Sequence, residues 1–153
     1  MSTLPTLRLP HAEVLDHIES LEPYRFDESH VVGNLPLAVV KPKSREDLRE
    51  LVRIAKAEGF GLVPRGSGTG KAGGCLPTGR AVVVDMGAWP GEIQISKQNL
   101  TLSAPSSAWL RDVKGAAEAS MLFIRQTPIH GLSAPLAGVW PRTLAGPTPA
   151  STA

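Results

Sequence analysis

A glycine-rich run at residues 61–77 constrains the fold of this chain more than any other segment. It reads Gly-Leu-Val-Pro-Arg-Gly-Ser-Gly-Thr-Gly-Lys-Ala-Gly-Gly-Cys-Leu-Pro, and it follows a short apolar stretch. Beyond Val63 the run is rich in glycine and proline, which resist regular secondary structure, so this part is expected to form a loop between other elements. Its backbone N–H groups have few side chains around them, and Arg65 and Lys71 add positive charge. Together these features favour binding of a phosphate or pyrophosphate.

A helix is predicted before the loop by signals at both of its ends. Ser44 is a suitable N-cap, and Glu46 and Asp47 lie in the first turn, where acidic residues favour the helix dipole. Gly59 follows where a left-handed C-cap would lie. The predicted helix therefore covers residues 45–58. Its apolar stripe consists of Leu48, Leu51, Val52 and Ala55.

Short apolar runs predict the strands of a small sheet. The run at 81–86 is almost continuously apolar and contains Asp85 near its end, as in a strand buried on both faces. Further strands are predicted at 37–40 and 60–63, a hairpin at 92–95 with 100–104, and helices at 11–22 and at 107–120 with Ser107 as cap. This order predicts an α+β domain with a small mixed sheet and flanking helices.

Composition excludes several classes of protein. The 153 residues are 42% hydrophobic and 20% charged, as in a soluble domain, and the formal charge of +2 is too small to favour nucleic acid as a partner. No apolar run is long enough for a membrane span, and residues 1–10 lack a signal-peptide pattern. The single cysteine, Cys75, forms no internal disulfide, and we expect a cytoplasmic protein. The scattered histidines predict no metal site, and no catalytic residue is assigned.

The glycine spacing excludes a P-loop. That motif requires Gly, four residues, and then Gly-Lys-Ser or Gly-Lys-Thr. Gly70 and Lys71 supply its second half, but the position of the first glycine holds Arg65. Ala72 occupies the position of the hydroxyl that would bind Mg²⁺.

A dinucleotide fingerprint of the nicotinamide-binding type is also disfavoured. Gly68, Gly70 and Gly73 have the spacing Gly-x-Gly-x-x-Gly, but the motif must open a helix. Residues 74–79 contain two glycines and a proline, which oppose a helix. The alternatives that stay open are a loop whose own amides bind the anion and a glycine-rich turn without a ligand.

The chain resembles the FAD-linked oxidases of the vanillyl-alcohol oxidase superfamily, whose FAD-binding domain is of the PCMH type. The resemblance lies in Pro-Arg-Gly-Ser-Gly-Thr-Gly at 64–70 with Gly73-Gly74, and in the flanking segments 36–48, 81–86, 93–104 and 109–123. It extends from about residue 24 to 123, and the most similar subgroup is that of glycolate oxidase and D-lactate dehydrogenase.

This resemblance implies the first part of an FAD-binding domain, with the cofactor's pyrophosphate on the glycine loop. The implied FAD-binding residues are Pro64, Arg65, Gly66, Ser67, Gly68, Thr69, Gly70, Gly73 and Gly74. In the family, a 2-hydroxy acid such as glycolate or D-lactate gives hydride to the flavin, and the protein positions the reactants.

The chain departs from the family pattern in two places. The segment 104–107 lacks the glycine that the family usually has. Residues 124–153 contain five prolines and no acidic residue, and they lack the second flavin-binding loop. We therefore expect a truncated chain whose final segment comes from a shifted reading frame, and which lacks the substrate-binding domain.

Three segments are predicted from this pattern: a helical N-terminal segment at 1–23, a partial FAD-binding domain at 24–123, and an irregular or disordered tail at 124–153. The predicted function is the FAD-binding portion of a flavin-dependent oxidoreductase. We expect this portion to be inactive alone, and a partner subunit is a candidate to complete the enzyme. The alternative is a non-catalytic α/β binding module.

Overall fold

A computed structural model of the chain describes residues 7–124. Its elements are β1 (Glu13–Leu15), α1 (Ile18–Leu21), a 3₁₀ turn (Glu22–Arg25), β2 (Val39–Lys41), α2 (Arg45–Glu58), β3 (Gly61–Arg65), β4 (Ala81–Asp85), β5 (Gln94–Ser96), β6 (Thr101–Ser103) and α3 (Leu110–Ala119). The tail predicted at 124–153 lies outside the described residues except for its first position.

The strands confirm the predicted α+β class. Four of them form a mixed sheet in the order β1-β2-β4-β3, in which β1 is antiparallel to β2 while β2, β4 and β3 are parallel. Residues 81–84 of the central strand β4 are buried, as predicted for a strand covered on both faces. Strands β5 and β6 form the predicted hairpin as a separate sheet.

Helix α2 covers one face of the sheet and has the predicted bounds. Ser44 accepts a hydrogen bond from the Asp47 amide, and Asp47 accepts one from the Ser44 amide, so the two residues form a capping box. Gly59 ends the helix in the left-handed conformation, with φ of 68°. The predicted stripe is corrected at Val52, which is exposed. The buried core on this face includes Val40, Leu51, Ala55, Phe60, Val82 and Val84.

The prediction of a helix over 11–22 is wrong for most of its length. Residues 13–15 form strand β1, and only residues 18–21 are α-helical. Val14 packs into the core on the α2 side of the sheet, whereas Leu15 packs with Leu21 on the opposite side. Neighbouring apolar residues on opposite faces are the pattern of a strand, and pairing with β2 satisfies the backbone.

Helix α3 begins later than predicted. Its N-cap is Trp109, and Ser107 does not cap it. The Ser107 hydroxyl instead donates a 2.5 Å hydrogen bond to the carbonyl of Trp89. The helix covers 110–119 and buries Leu110, Val113 and Ala117.

Candidate functional site

The glycine loop is the crossover between two parallel strands. It leaves the carboxyl end of β3 at Arg65 and returns to the start of β4 at Ala81, and these strands are hydrogen-bonded neighbours. Parallel neighbours need a connection of a dozen or more residues, which is usually a helix. Here the connection at 66–80 contains no helix. A Rossmann-type site, which requires a helix after its glycines, is therefore absent at this loop.

The first half of this loop leaves its backbone amides open. Within the described residues, the amides from Ser67 to Ala72 donate no hydrogen bond to another residue. A methyl group added at Gly70 would meet no atom within 4 Å. Consecutive backbone amides without a hydrogen-bond partner are the arrangement that binds an anion.

Three glycines of the crossover adopt a left-handed conformation that L side chains rarely accept. The φ angle is 75° at Gly68, 67° at Gly73 and 66° at Gly79. Gly68 also has no room for a side chain, because a Cβ atom there would lie 2.3 Å from Nη2 of Arg65. At Gly73 a Cβ atom would make only ordinary contacts, the nearest at 3.6 Å.

The Arg65 side chain extends toward the segment 24–27 and Cys75. Its Nη2 donates a 2.9 Å hydrogen bond to the carbonyl of Phe26, and its Nη1 lies 3.7 Å from Sγ of Cys75. The guanidinium also lies over the ring of Tyr24, 5.2 Å from the ring centroid. Cation–π contacts of this kind are weakly to moderately stabilising.

Two acidic residues complete this cluster. Tyr24 Oη donates a 2.7 Å hydrogen bond to Oδ2 of Asp85, at the end of β4. Burial and the Asp85 carboxylate raise the pKa of Tyr24, so the phenol stays a donor at neutral pH. Asp27 accepts hydrogen bonds from the Ser29 hydroxyl and from Sγ of Cys75.

The thiol of Cys75 is half-buried and holds its proton. Burial raises the pKa of the Cys75 thiol, and Asp27 adds to this rise while Arg65 opposes it. Burial also acts to raise the pKa of Asp27, but hydrogen bonds from Ser29 and Cys75 and the charge of Arg65 lower it below the usual value. A protonated thiol beside a carboxylate is a hydrogen-bond donor rather than a nucleophile.

The structure brings most of the predicted site residues together on one connection. Pro64 lies exposed in β3, and the hydroxyls of Ser67 and Thr69 are 3.0 Å apart and hydrogen-bonded to each other. The residues that sequence reasoning missed are Tyr24, in the 3₁₀ turn, and Asp27, which follows that turn; neither belongs to a motif. The Asp85 carboxylate accepts hydrogen bonds from Tyr24 and from the Gly87 amide.

A cleft of about 270 Å³ lies along the second half of the loop. Its walls come from two segments, 31–34 and 72–79. The segments are joined by a 2.9 Å hydrogen bond from the Asn34 amide to the Pro77 carbonyl. This cleft continues the open surface of the loop away from the end of β3.

Residues 7–124 contain no candidate metal centre and no candidate membrane span. No group of three or more His, Cys, Asp or Glu residues there is arranged to hold a metal ion. None of the helices in this part of the chain has the length and apolar character needed to cross a membrane.

Solved structures with the same fold include a cholesterol oxidase and an alkyldihydroxyacetonephosphate synthase. Cholesterol oxidase from B. sterolicum aligns with a TM-score of 0.66 and 15% identity, over 90% of this chain and 26% of that chain. Alkyldihydroxyacetonephosphate synthase aligns with a TM-score of 0.66 and 16% identity, over 80% of this chain and 27% of the other. At these identities the likeness establishes the fold alone.

Curated relatives are glycolate oxidase subunits. The GlcD subunit of Bacillus subtilis (strain 168) is 28% identical over 105 residues, which are 69% of this chain and 22% of that protein. The GlcD subunit of Escherichia coli (strain K12) is 34% identical over 87 residues, 56% of this chain and 17% of that protein. The chain thus spans about a fifth of the length of the relatives it matches.

A family model described as an FAD binding domain matches residues 36–139. The match begins just before β2, includes the whole glycine crossover, and extends beyond residue 123, where we expected the likeness to end. Since it covers more than half of the chain, the chain belongs to this family of FAD binding domains.

Proposed function

We propose that this chain is the FAD-binding portion of a flavin-dependent oxidoreductase that acts on a 2-hydroxy acid such as glycolate or D-lactate. The observation that carries the proposal is the helix-free crossover at 66–80, whose amides from Ser67 to Ala72 are open within the described residues. The proposed FAD-binding domain extends over 24–123. When FAD is bound, it supplies the redox chemistry of such enzymes.

The loop fits the pyrophosphate of FAD in charge and shape. Amides from Ser67 to Gly70 are the proposed donors, and the hydroxyl of Thr69 is free to turn from Ser67 to a phosphate oxygen. Gly66, Gly70 and Gly74 keep side chains out of the way, whereas Gly68 and Gly73 supply the left-handed backbone. Pro64 and Arg65 lead into the loop from β3.

Support for the 2-hydroxy acid comes from the curated relatives, both of which are glycolate oxidase subunits. Their name as subunits also supports a partner subunit for the complete enzyme. The chain spans about a fifth of their length, so we expect it to bind FAD without oxidising substrate when it is alone. The single cysteine allows no internal disulfide, which supports a reducing compartment, and we propose the cytoplasm.

Titration with FAD tests the binding step. The purified chain should shift the flavin absorbance and quench its fluorescence in a saturable way, and riboflavin, which lacks the pyrophosphate, should bind at least tenfold more weakly. No flavin binding would contradict the proposal, and equal binding of FAD and riboflavin would contradict the role of the loop.

An activity assay separates the oxidoreductase from the alternative, a non-catalytic α/β binding module. Glycolate or D-lactate is supplied with an artificial electron acceptor, first to the chain alone and then to the chain mixed with the missing part of a GlcD relative. Turnover that appears only in the mixture supports the oxidoreductase portion. FAD binding with no turnover in either sample supports the non-catalytic module.

A further inference from the structure

Arg65 is the residue through which the glycine loop is joined to the segment before β2. Its Nη2 bonds to the Phe26 carbonyl at 2.9 Å, and its guanidinium covers the Tyr24 ring at 5.2 Å. Its Nη1 approaches Cys75 at the far end of the glycine-rich run, at 3.7 Å. The planar guanidinium thus contacts the loop and the segment 24–26 at the same time.

Gly68 is shaped around this guanidinium. A Cβ atom there would lie 2.3 Å from Nη2 and 2.8 Å from Cζ of Arg65, well inside contact distance. Gly68 is itself buried, and its carbonyl accepts a 3.2 Å hydrogen bond from the Glu28 amide. The absence of a side chain at Gly68 therefore gives room to Arg65 and allows the loop to bond to the segment at Glu28.

The far side of the segment is fixed to the sheet. Tyr24 bonds to Asp85 at 2.7 Å, and Asp85 is the register partner of Arg65 across β3 and β4. The Cys75 thiol bonds to Asp27 at 3.5 Å. The segment 24–28 is thus held from β4, from Arg65 and from the end of the loop.

We propose that Arg65 is a positioning residue: it holds the glycine loop on the segment 24–28 and so fixes the conformation in which the loop amides stay open, without contacting the phosphates of FAD. This replaces the expectation that Arg65 is one of the phosphate-binding cations. The statement about FAD rests on the proposed function, whereas the statement about the loop conformation does not.

The loop conformation is tested without FAD, by residue-resolved hydrogen exchange. Arg65→Ala should accelerate exchange of the Glu28 amide about tenfold, because the hydrogen bond to Gly68 is no longer held in place. Gly68→Ala should do the same by displacing the guanidinium. Lys71→Ala, which removes an exposed cation from the same loop, should leave this exchange unchanged.

Gly59→Ala is the matched control for Gly68→Ala. Both glycines have a left-handed backbone, with φ of 68° and 75°, but a Cβ atom at Gly59 would meet nothing within 4 Å. An unchanged Glu28 exchange rate in Arg65→Ala would overturn the proposal. So would an acceleration of the same size in Gly59→Ala, because it would show general loosening rather than loss of the Arg65 contact.

The relation of Arg65 to the phosphates is tested by FAD titration at low and high salt. Arg65→Lys keeps the charge but not the planar fork, and it should lose as much FAD affinity as Arg65→Ala, about tenfold. Each loss should be the same at both salt concentrations, since no ion pair with phosphate is removed. Full affinity in Arg65→Lys, or a loss that disappears at high salt, would identify a phosphate ligand and overturn the proposal.

The two proposals fail in different ways. If the unmodified chain binds no FAD, the proposed function is wrong, and the Glu28 exchange rates still decide whether Arg65 holds the loop. If the unmodified chain binds FAD and Arg65→Ala changes neither exchange nor affinity, the positioning role alone is wrong.

Discussion

The N-terminus of α2 and the glycine loop both begin at the carboxyl end of the parallel strands, but they use their backbone amides differently. Both follow the carboxyl ends of parallel strands, β2 and β3, where α/β proteins commonly bind ligands. At α2, the Asp47 carboxylate accepts hydrogen bonds from the amides of His11, Lys43 and Ser44. Within residues 7–124, no carboxylate accepts a hydrogen bond from the loop amides between Ser67 and Ala72. An anion site thus depends on amides that the chain itself leaves unbonded.

The largest expected effect is at the N-terminus of α2, where the Asp47 carboxylate already accepts the hydrogen bonds of the backbone amides. Asp47 is fully buried, and Asp47→Asn would place an amide NH₂ or a single acceptor against three backbone donors. We expect the free energy of unfolding to fall by about 2–3 kcal/mol, measured by urea denaturation. FAD affinity of the folded fraction should not change, because the loop is a separate site.

The matched control for that substitution is Asp112→Asn, in the first turn of α3. Asp112 is exposed, with 53% of its side chain accessible, so the change should stay within about 0.5 kcal/mol. Equal losses in the free energy of unfolding for Asp47→Asn and Asp112→Asn would contradict the view that the Asp47 carboxylate serves as the anion at the N-terminus of α2.

Acid should weaken the hydrogen bonds that the Asp47 carboxylate accepts at the N-terminus of α2. Burial acts to raise the pKa of Asp47, but hydrogen bonds from His11, Lys43 and Ser44 outweigh it and hold the pKa below the usual value for an aspartate. A lowered folded-state pKa stabilises the fold above the unfolded pKa, and this stability is lost as pH falls through the folded pKa. Thermal unfolding below about pH 4 should therefore depend more steeply on pH in the unmodified chain than in Asp47→Asn.

Two glycines outside the loop should respond in opposite directions. Gly59 has φ of 68°, so Gly59→Ala should destabilise the fold by about 1–2 kcal/mol although no atom is nearby. Gly115 lies inside α3 with equally open space and no positive φ, so Gly115→Ala should stabilise by about 0.5–1 kcal/mol. Differential scanning calorimetry measures both. The same sign for both would show that backbone conformation does not set the need for glycine here.

A further effect of modest size is expected at the N-cap of α2. Ser44→Ala removes the acceptor of the Asp47 amide and should cost about 1 kcal/mol, measured by chemical denaturation. Ser103→Ala, at an exposed position of β6, is the control and should be nearly neutral. An unchanged free energy of unfolding in Ser44→Ala would mean that the hydrogen bonds of Asp47 alone stabilise the N-terminus of α2.

Helix α2 was predictable because its information is local. The cap, the acidic first turn and Gly59 lie within one short stretch, and each acts on its neighbours. Strand β1 was not predictable in this way, since Val14 and Leu15 fit a helical pattern as well as a strand. The partner that decides between them, β2, lies far along the chain.

The loop was predicted as a phosphate site from its glycines and from the family resemblance, and family membership is now confirmed. Its inner contacts were not predictable. Tyr24 lies in the 3₁₀ turn and Asp27 follows it, and their contacts with Arg65 and Cys75 depend on how this part of the chain crosses the end of the sheet. The role proposed for Arg65 differs from the predicted one for this reason, because charge alone does not show where a side chain extends.

Pro64 has a consequence for self-association. Among the described strands β3 lies at an edge of the sheet, and Arg65 faces β4, since its carbonyl accepts a 2.9 Å hydrogen bond from the Met86 amide. Alternate residues of a strand direct their backbone groups to opposite sides, so Pro64 faces the free edge, where it offers no N–H. A second copy of the chain that approached this edge would find a donor missing from the ladder, which protects the sheet against growth into aggregates.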